Sequence, residues 1–215
     1  MHGFIVPLWL YNESKLWWFV SIVAATLFFV WFQQRFFVSD ILYYNTYGEQ
    51  LSLETIDIII GQAKKYSWLG YAVVPLLILL RICYTTVCLY IASLFNEERL
   101  EMESCFNIAL KADVAFVFAG LFGIIYQLIV PSTNLMELTS NPFSIIYFLN
   151  MEGIPIYLLY PIGLINAFEV FYWFLLIVLV RYQYKYSYSN SFKFVAISYG
   201  SGLLLIILVL TLISI

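Results

Sequence analysis

Charge is scarce in this chain. Lys, Arg, Asp and Glu make up 11% of its 215 residues, against roughly 25% in an ordinary soluble domain. Hydrophobic residues fill 63% and mean hydropathy is +0.90. Too few water-compatible side chains remain to cover the apolar surface, so the solvent of this fold is lipid. Histidine is rarer still, with His2 alone. The three cysteines, Cys83, Cys88 and Cys105, form no CxxC or Cys/His cluster. No metal site, redox centre or cofactor is therefore expected. The net charge of −3 and the lack of a dense basic patch argue against a nucleic-acid partner. HExxH, GxSxG, a P-loop, a Gly-rich dinucleotide turn and paired acids at ligand spacing are all missing, so no catalytic residues are assigned and an enzyme is not expected.

Long apolar runs are what the chain has. They are continuous and do not alternate with period two, which excludes a membrane β-barrel. At roughly 20 residues per crossing, five runs span: 16–32, 68–95, 112–130, 154–180 and 194–213. The expected fold is all-α, a single polytopic membrane domain of five transmembrane helices. Pro7, Asn12 and Glu13 interrupt the first residues, so the first run reads as an uncleaved signal-anchor. Trp17, Trp18, Trp31, Trp68, Tyr157 and Tyr160 lie near run ends, where amphipathic rings favour the headgroup zone.

Basic residues set the orientation. Lys15, Arg99, Lys111, Arg181, Lys185 and Lys193 fall on one side, and Arg35, Lys64 and Lys65 on the other. The bias places the N-terminus in the cytoplasm and the C-terminus outside. Loop 131–153 agrees, with Glu137 and Glu152 but no base. Loop 33–67 holds SLETIDIIIGQAKKYSW, with Leu53, Ile56, Ile60 and Ala63 at helical spacing. It predicts a short amphipathic helix at the outer surface that can continue toward the second span; an ordered loop packed on the bundle is the alternative. In NEERLEMES, Asn96 can cap a turn that begins with Glu97 and Glu98. That acidic stretch is a solvated face or a docking site.

Two charges lie deep inside runs. An ionised group at mid-bilayer costs about 2.5–3.5 kcal/mol on insertion scales, so such residues face the bundle interior and find partners. Arg81 follows Trp68, and Glu169 follows Ile154, by similar distances on helices that run in the same direction. The expected arrangement is an Arg81–Glu169 pair, direct or through water, with Asn166 as second partner. It either forms a proton, ion or substrate site or fixes which helices are neighbours; the second is favoured. Asp113 is a weaker candidate, an acid hydrated near the cytoplasmic end of the third run beside Lys111. Pro75, Pro155 and Pro161 can kink or break their helices. In AISYGSG, the four-residue spacings Ala196–Gly200 and Ser198–Gly202 let helices approach closely, and packing within the chain is favoured over a dimer seam. Gly120 and Gly123 offer a similar surface on the third helix.

The segments LINAFEVFYWFLLIVLV, KYSYSNSFKFVA and ISYGSGLLLIILVL follow a pattern: an Asn-x-Phe-x-x-aromatic run, a Ser/Lys-rich turn and a small-residue last helix. PLLILLRICYTTVCLYIASLF and ESCFNIALKADVAFVFAG precede them, and Ser-x-Phe-like starts hint at a duplication of spans two–three in four–five. Over residues 68–215 the chain resembles the Yip1-domain superfamily, in particular Yip1-like inner-membrane proteins of Bacteroidota. The resemblance implies a five-helix bundle with a cytoplasmic N-terminus, working without catalysis through partners in the membrane. The expected function is an accessory or scaffold subunit of a bacterial cytoplasmic-membrane complex, contacting lipids and a membrane-protein partner or a second copy. Alternatives are a small permease using Arg81, Asn166 and Glu169, or a lipid-interacting factor working through segment 52–66.

Overall fold

The computed structural model describes residues 14–95, 99–139, 142–148 and 161–214. Expectations placed on His2, Pro7, Asn12, Glu13, Asn96, Glu97, Glu98, Glu152, Pro155, Tyr157 and Tyr160 lie outside the described residues. The described elements are α1 (Lys15–Phe36), α2 (Asp40–Tyr47), α3 (Leu53–Leu94), α4 (Met102–Ala112), α5 (Val114–Ile129) and α6 (Leu135–Thr139). A 3-10 turn (Ile145–Phe148), α7 (Ala167–Tyr184), α8 (Tyr188–Val195), a π-helical turn (Ala196–Gly200) and α9 (Ser201–Ser214) complete them. Among the described residues, five helical stretches are long and apolar enough to cross a membrane: Lys15–Phe36, Leu53–Leu94, Met102–Ile129, Ala167–Tyr184 and Tyr188–Ile213. The protein is an all-α, multi-pass membrane helix bundle.

Helix α3 has 42 residues, about 63 Å of helix against a hydrocarbon core of about 30 Å. Ser52 starts it by accepting the Thr55 amide at 3.3 Å, and Glu54 sits in its first, positive turn. The 53–66 segment is thus helical and runs on without a break into the second span; Pro75 lies inside the helix and does not end it. The short helix of the first loop is α2. Ile56 and Ile60 of α3 are buried, as is Leu42 of α2, where the two helices pack. Lys64 pairs with Asp40 at 2.8 Å, and Tyr44 bonds to Asp57. Helix α2 also holds α6, through Asn45 to the Thr133 carbonyl at 2.8 Å and the Leu135 amide to Thr46 at 2.9 Å.

The third span is the hub. Its two segments, α4 and α5, meet at Asp113 and pack on the first, second and fourth spans. On one side Trp18, Ile22, Ile78, Ile82, Ala109 and Leu110 form a small core. On the other, Leu89, Cys105, Ile108, Ala112, Tyr172, Leu176 and Tyr199 belong to a larger one. This span begins at Met102, ten residues before the expected 112, because Cys105, Ile108 and Ala109 give α4 a buried face despite its polar residues.

The fourth run is not one helix from 154. The described chain is non-helical at Ile165, and Asn166 forms an isolated antiparallel bridge with Ser144. The Ile145 amide donates to the Ile165 carbonyl and the Ala167 amide to the Phe143 carbonyl, each at 3.0 Å. Only then does α7 begin. It ends at Lys185, whose φ of 57° is left-handed. Ser187 caps α8 by accepting the Asn190 amide at 3.2 Å.

Candidate functional site

The predicted Arg81–Glu169 pair is corrected by the structure. Arg81 grips Asp113 with two parallel bonds, Nε to Oδ1 at 2.7 Å and Nη2 to Oδ2 at 2.8 Å. This is the fork geometry that makes guanidinium–carboxylate pairs strong. The guanidinium carbon also lies 3.7 Å from the centre of the Phe116 ring, a cation–π contact. No hydrogen bond or ion pair joins Arg81 to Glu169 among the described residues. Arg81 still acts on Glu169 electrostatically without a direct bond, and Glu169 lies in the first turn of α7 and not in the middle of a helix from 154.

Asp113 is likewise not a hydrated acid at a helix end. Its side chain is 0% exposed, at the joint of α4 and α5, well inside the span. Its amide donates to the Ala109 carbonyl and its own carbonyl accepts from Phe116 at 3.0 Å, a tightened turn between the two helices. The pair therefore ties the second span to the joint of α4 and α5 in the third. Beside it Phe116 packs on Tyr172, ring centres 5.1 Å apart, and the buried Tyr172 hydroxyl bonds to Thr85 at 2.8 Å.

Asn166 is no partner of Arg81 either. It is the N-cap of α7: its Oδ1 accepts from the Phe168 and Glu169 amides at 3.0 and 2.9 Å, and its Nδ2 donates to the Leu164 carbonyl at 3.1 Å. Glu169 then sits where the positive helix end favours an acid. It is 8% exposed. Its Oε1 accepts from the Tyr199 hydroxyl at 2.8 Å and from Trp173 Nε1 at 3.2 Å; among the described residues Oε2 accepts no hydrogen bond.

Tyr199 reaches Glu169 from the π-helical turn Ala196–Gly200. Such turns are uncommon and cluster at functional sites. The turn disturbs the helical bonding pattern in a segment largely buried in the bundle, where serine hydroxyls supply extra donors. Ser198 donates to the Phe194 carbonyl at 2.7 Å and Ser201 to the Ser198 carbonyl at 3.0 Å. The AISYGSG stretch, read as a packing surface, is therefore also the place where the helix changes pitch.

The small residues divide. A Cβ on Gly200 would meet Trp173 at 2.7 Å, one on Gly202 would meet Cys88 Sγ and the Tyr84 hydroxyl at 2.7 Å, and one on Gly120 would meet Phe29 at 2.6 Å. These three sit where helices approach closely. A Cβ on Gly123 would meet nothing within 4 Å, so no close helix approach depends on it. Ala196 faces a cavity of about 540 Å³ between the fourth and fifth spans, lined also by Glu169, Trp173, Phe174, Gly200 and Leu204. Among the described lining residues Glu169 alone is ionisable.

Among the described residues no three His, Cys, Asp or Glu side chains gather as metal ligands. Comparison with family models, curated proteins and solved structures found no match. The chemistry thus rests on two sites, a closed Arg81–Asp113 joint and a half-satisfied Glu169 beside a cavity. Sequence reading missed the roles of Tyr199, Trp173 and the cap. The last had a visible signal: Asn166-Ala-Phe-Glu169 is the spacing of a capping box.

Proposed function

We propose that this protein is a non-enzymatic accessory or scaffold subunit of a bacterial cytoplasmic-membrane complex, Yip1-like, with a cytoplasmic N-terminus. The observation that carries this reading is the Arg81–Asp113 fork. The deep positive charge of the second span is consumed inside the bundle, where it fixes helix neighbours. Of the three residues a permease would use, Arg81 is forked to Asp113 and Asn166 caps its own helix, so both have their polar groups engaged within the bundle. The orientation rests on the basic residues, and the partner-based role on the resemblance of residues 68–215.

Asp113 is fully buried and Arg81 a third exposed, so the loss of Arg81, which strands a buried carboxyl, should cost more than the loss of Asp113, at most about 3 kcal/mol, whereas replacing both can be neutral. Arg81→Gln and Asp113→Asn should each lower thermal stability and assembly, and the double variant should recover much of the loss. Mild detergent extraction of the tagged protein from its native membrane, followed by mass spectrometry, tests the role itself. A stoichiometric membrane-protein partner supports the scaffold. A lone chain whose melting temperature shifts with a solute overturns it in favour of a permease.

A further inference from the structure

The cavity between the fourth and fifth spans is open to lipid along its rim, where Val170, Phe174, Phe192 and Leu204 are exposed. Its volume of about 540 Å³ falls in the range of about 300–1,000 Å³ that small-ligand sites occupy. A transmembrane helix about 10–12 Å across would need far more room. The lining is aliphatic and aromatic except for Glu169. That carboxyl is positioned by Asn166, Trp173 and Tyr199 through one oxygen and the backbone; among the described residues Oε2 accepts no hydrogen bond, and it lies beside an apolar groove. A buried carboxyl of this kind calls for a further hydrogen-bond donor.

The geometry points to a lateral binding site for a long-chain amine: an amphiphile that enters from the bilayer, lays its aliphatic chain along Trp173, Phe174 and Leu204, and presents its amine to Glu169. The acid–amine pair carries no net charge into the membrane whichever partner holds the proton. An alcohol offers a weaker, uncharged donor, and a fatty acid brings a second carboxyl against the first. The π-helical turn supplies the Tyr199 hydroxyl that orients Glu169, the small Ala196 that lines the space, and Gly200, against which Trp173 packs.

The test uses the full chain in phosphatidylcholine nanodiscs with hexadecylamine, hexadecanol and hexadecanoate, each carrying a photoreactive diazirine in mid-chain. Amine adducts should concentrate on residues 170–177 and 196–207 and exceed alcohol adducts. Glu169→Gln should lower amine labelling by about ten-fold, the scale of one charge-assisted bond, and leave alcohol labelling unchanged. Leu204→Trp, at an exposed rim position, should reduce labelling by all three. If Glu169→Gln does not fold, the amine-to-alcohol ratio of the parent and the Leu204→Trp result decide. Equal labelling by amine and alcohol, adducts spread evenly over the lipid-facing surface, or chain-to-chain cross-links from the groove would each overturn the assignment. None of these outcomes depends on whether a complex partner exists.

Discussion

Two helices of this protein start on the same four-residue pattern, Asn134-Leu-Met-Glu137 at α6 and Asn166-Ala-Phe-Glu169 at α7. In both, the asparagine Oδ1 accepts the amide of the glutamate, at 2.8 and 2.9 Å. The glutamates then part ways. Glu137 turns back on its own cap: Oε1 accepts from Asn134 Nδ2 at 3.2 Å, and Oε2 from the Thr133 amide and hydroxyl at 2.7 and 2.9 Å. Glu169 leaves its cap for Trp173 and Tyr199. Local pattern decides where a helix begins, and tertiary donors decide where its carboxylate goes. At α6 water surrounds an exposed loop and the local partners win. At α7 the donors come from one turn ahead and from a neighbouring span, and they aim the acid at a cavity.

Loss of the cap should separate the two sites most. Asn-to-Ala changes at N-caps cost about 0.5–2 kcal/mol. Asn166→Ala strands the amides of Phe168 and Glu169, both buried residues, so its loss should lie near the upper end, about 2 kcal/mol. Asn134→Ala, where water replaces the lost acceptor, should fall near about 0.5 kcal/mol. Reversible unfolding in mixed micelles measures both, and equal losses would erase the distinction.

Tyr199→Phe is the next test. Side-chain hydrogen bonds between membrane helices average about 0.6 kcal/mol with a maximum near 1.7, and Tyr199 to Glu169 is such a bond. A double-mutant cycle of Tyr199→Phe with Glu169→Gln should return a coupling in that range. Thr133→Val, which removes one of several exposed donors to Glu137, should change stability very little. A coupling near zero at Glu169 would mean that the fifth span does not hold the carboxyl.

The same contrast shows what could be read from the sequence and what could not. Five spans follow from composition alone, since runs of apolar residues have few other stable homes. Span boundaries do not. The fourth run stays greasy from 154 to 180, so hydropathy has no reason to stop, while Asn166 marks the true start of α7 by a hydrogen-bonding pattern that hydropathy ignores. The third run was cut short at its polar end, where Glu103, Asn107 and Lys111 mask the buried face of α4. With the run starting at 112, Asp113 reads as an acid at a hydrated terminus and not as a partner for Arg81. Depth along a helix can be counted from sequence. The direction in which a side chain points around its helix cannot be paired across spans without the packing, and the π-helical turn shifts that direction again for Tyr199.

The smallest effect expected is a pH dependence at α6, which serves as the solvated reference for α7. Donors from Thr133, backbone first and then hydroxyl, with further help from Asn134, hold the Glu137 carboxyl below its ordinary value of 4.5. A carboxyl whose folded value is depressed adds stability only while it is ionised. Its contribution is complete above about pH 4.5 and is lost as pH falls through the lower, folded value. Glu137→Gln should remove that dependence without changing stability at low pH. Local hydrogen exchange of the Leu138 and Thr139 amides between pH 3 and pH 6 reads it directly, since opening of α6 exposes them. A parent and a Gln variant with the same exchange profile would show that Glu137 closes its cap without stabilising α6. The contrast with Glu169 would then rest on the fifth-span donors alone.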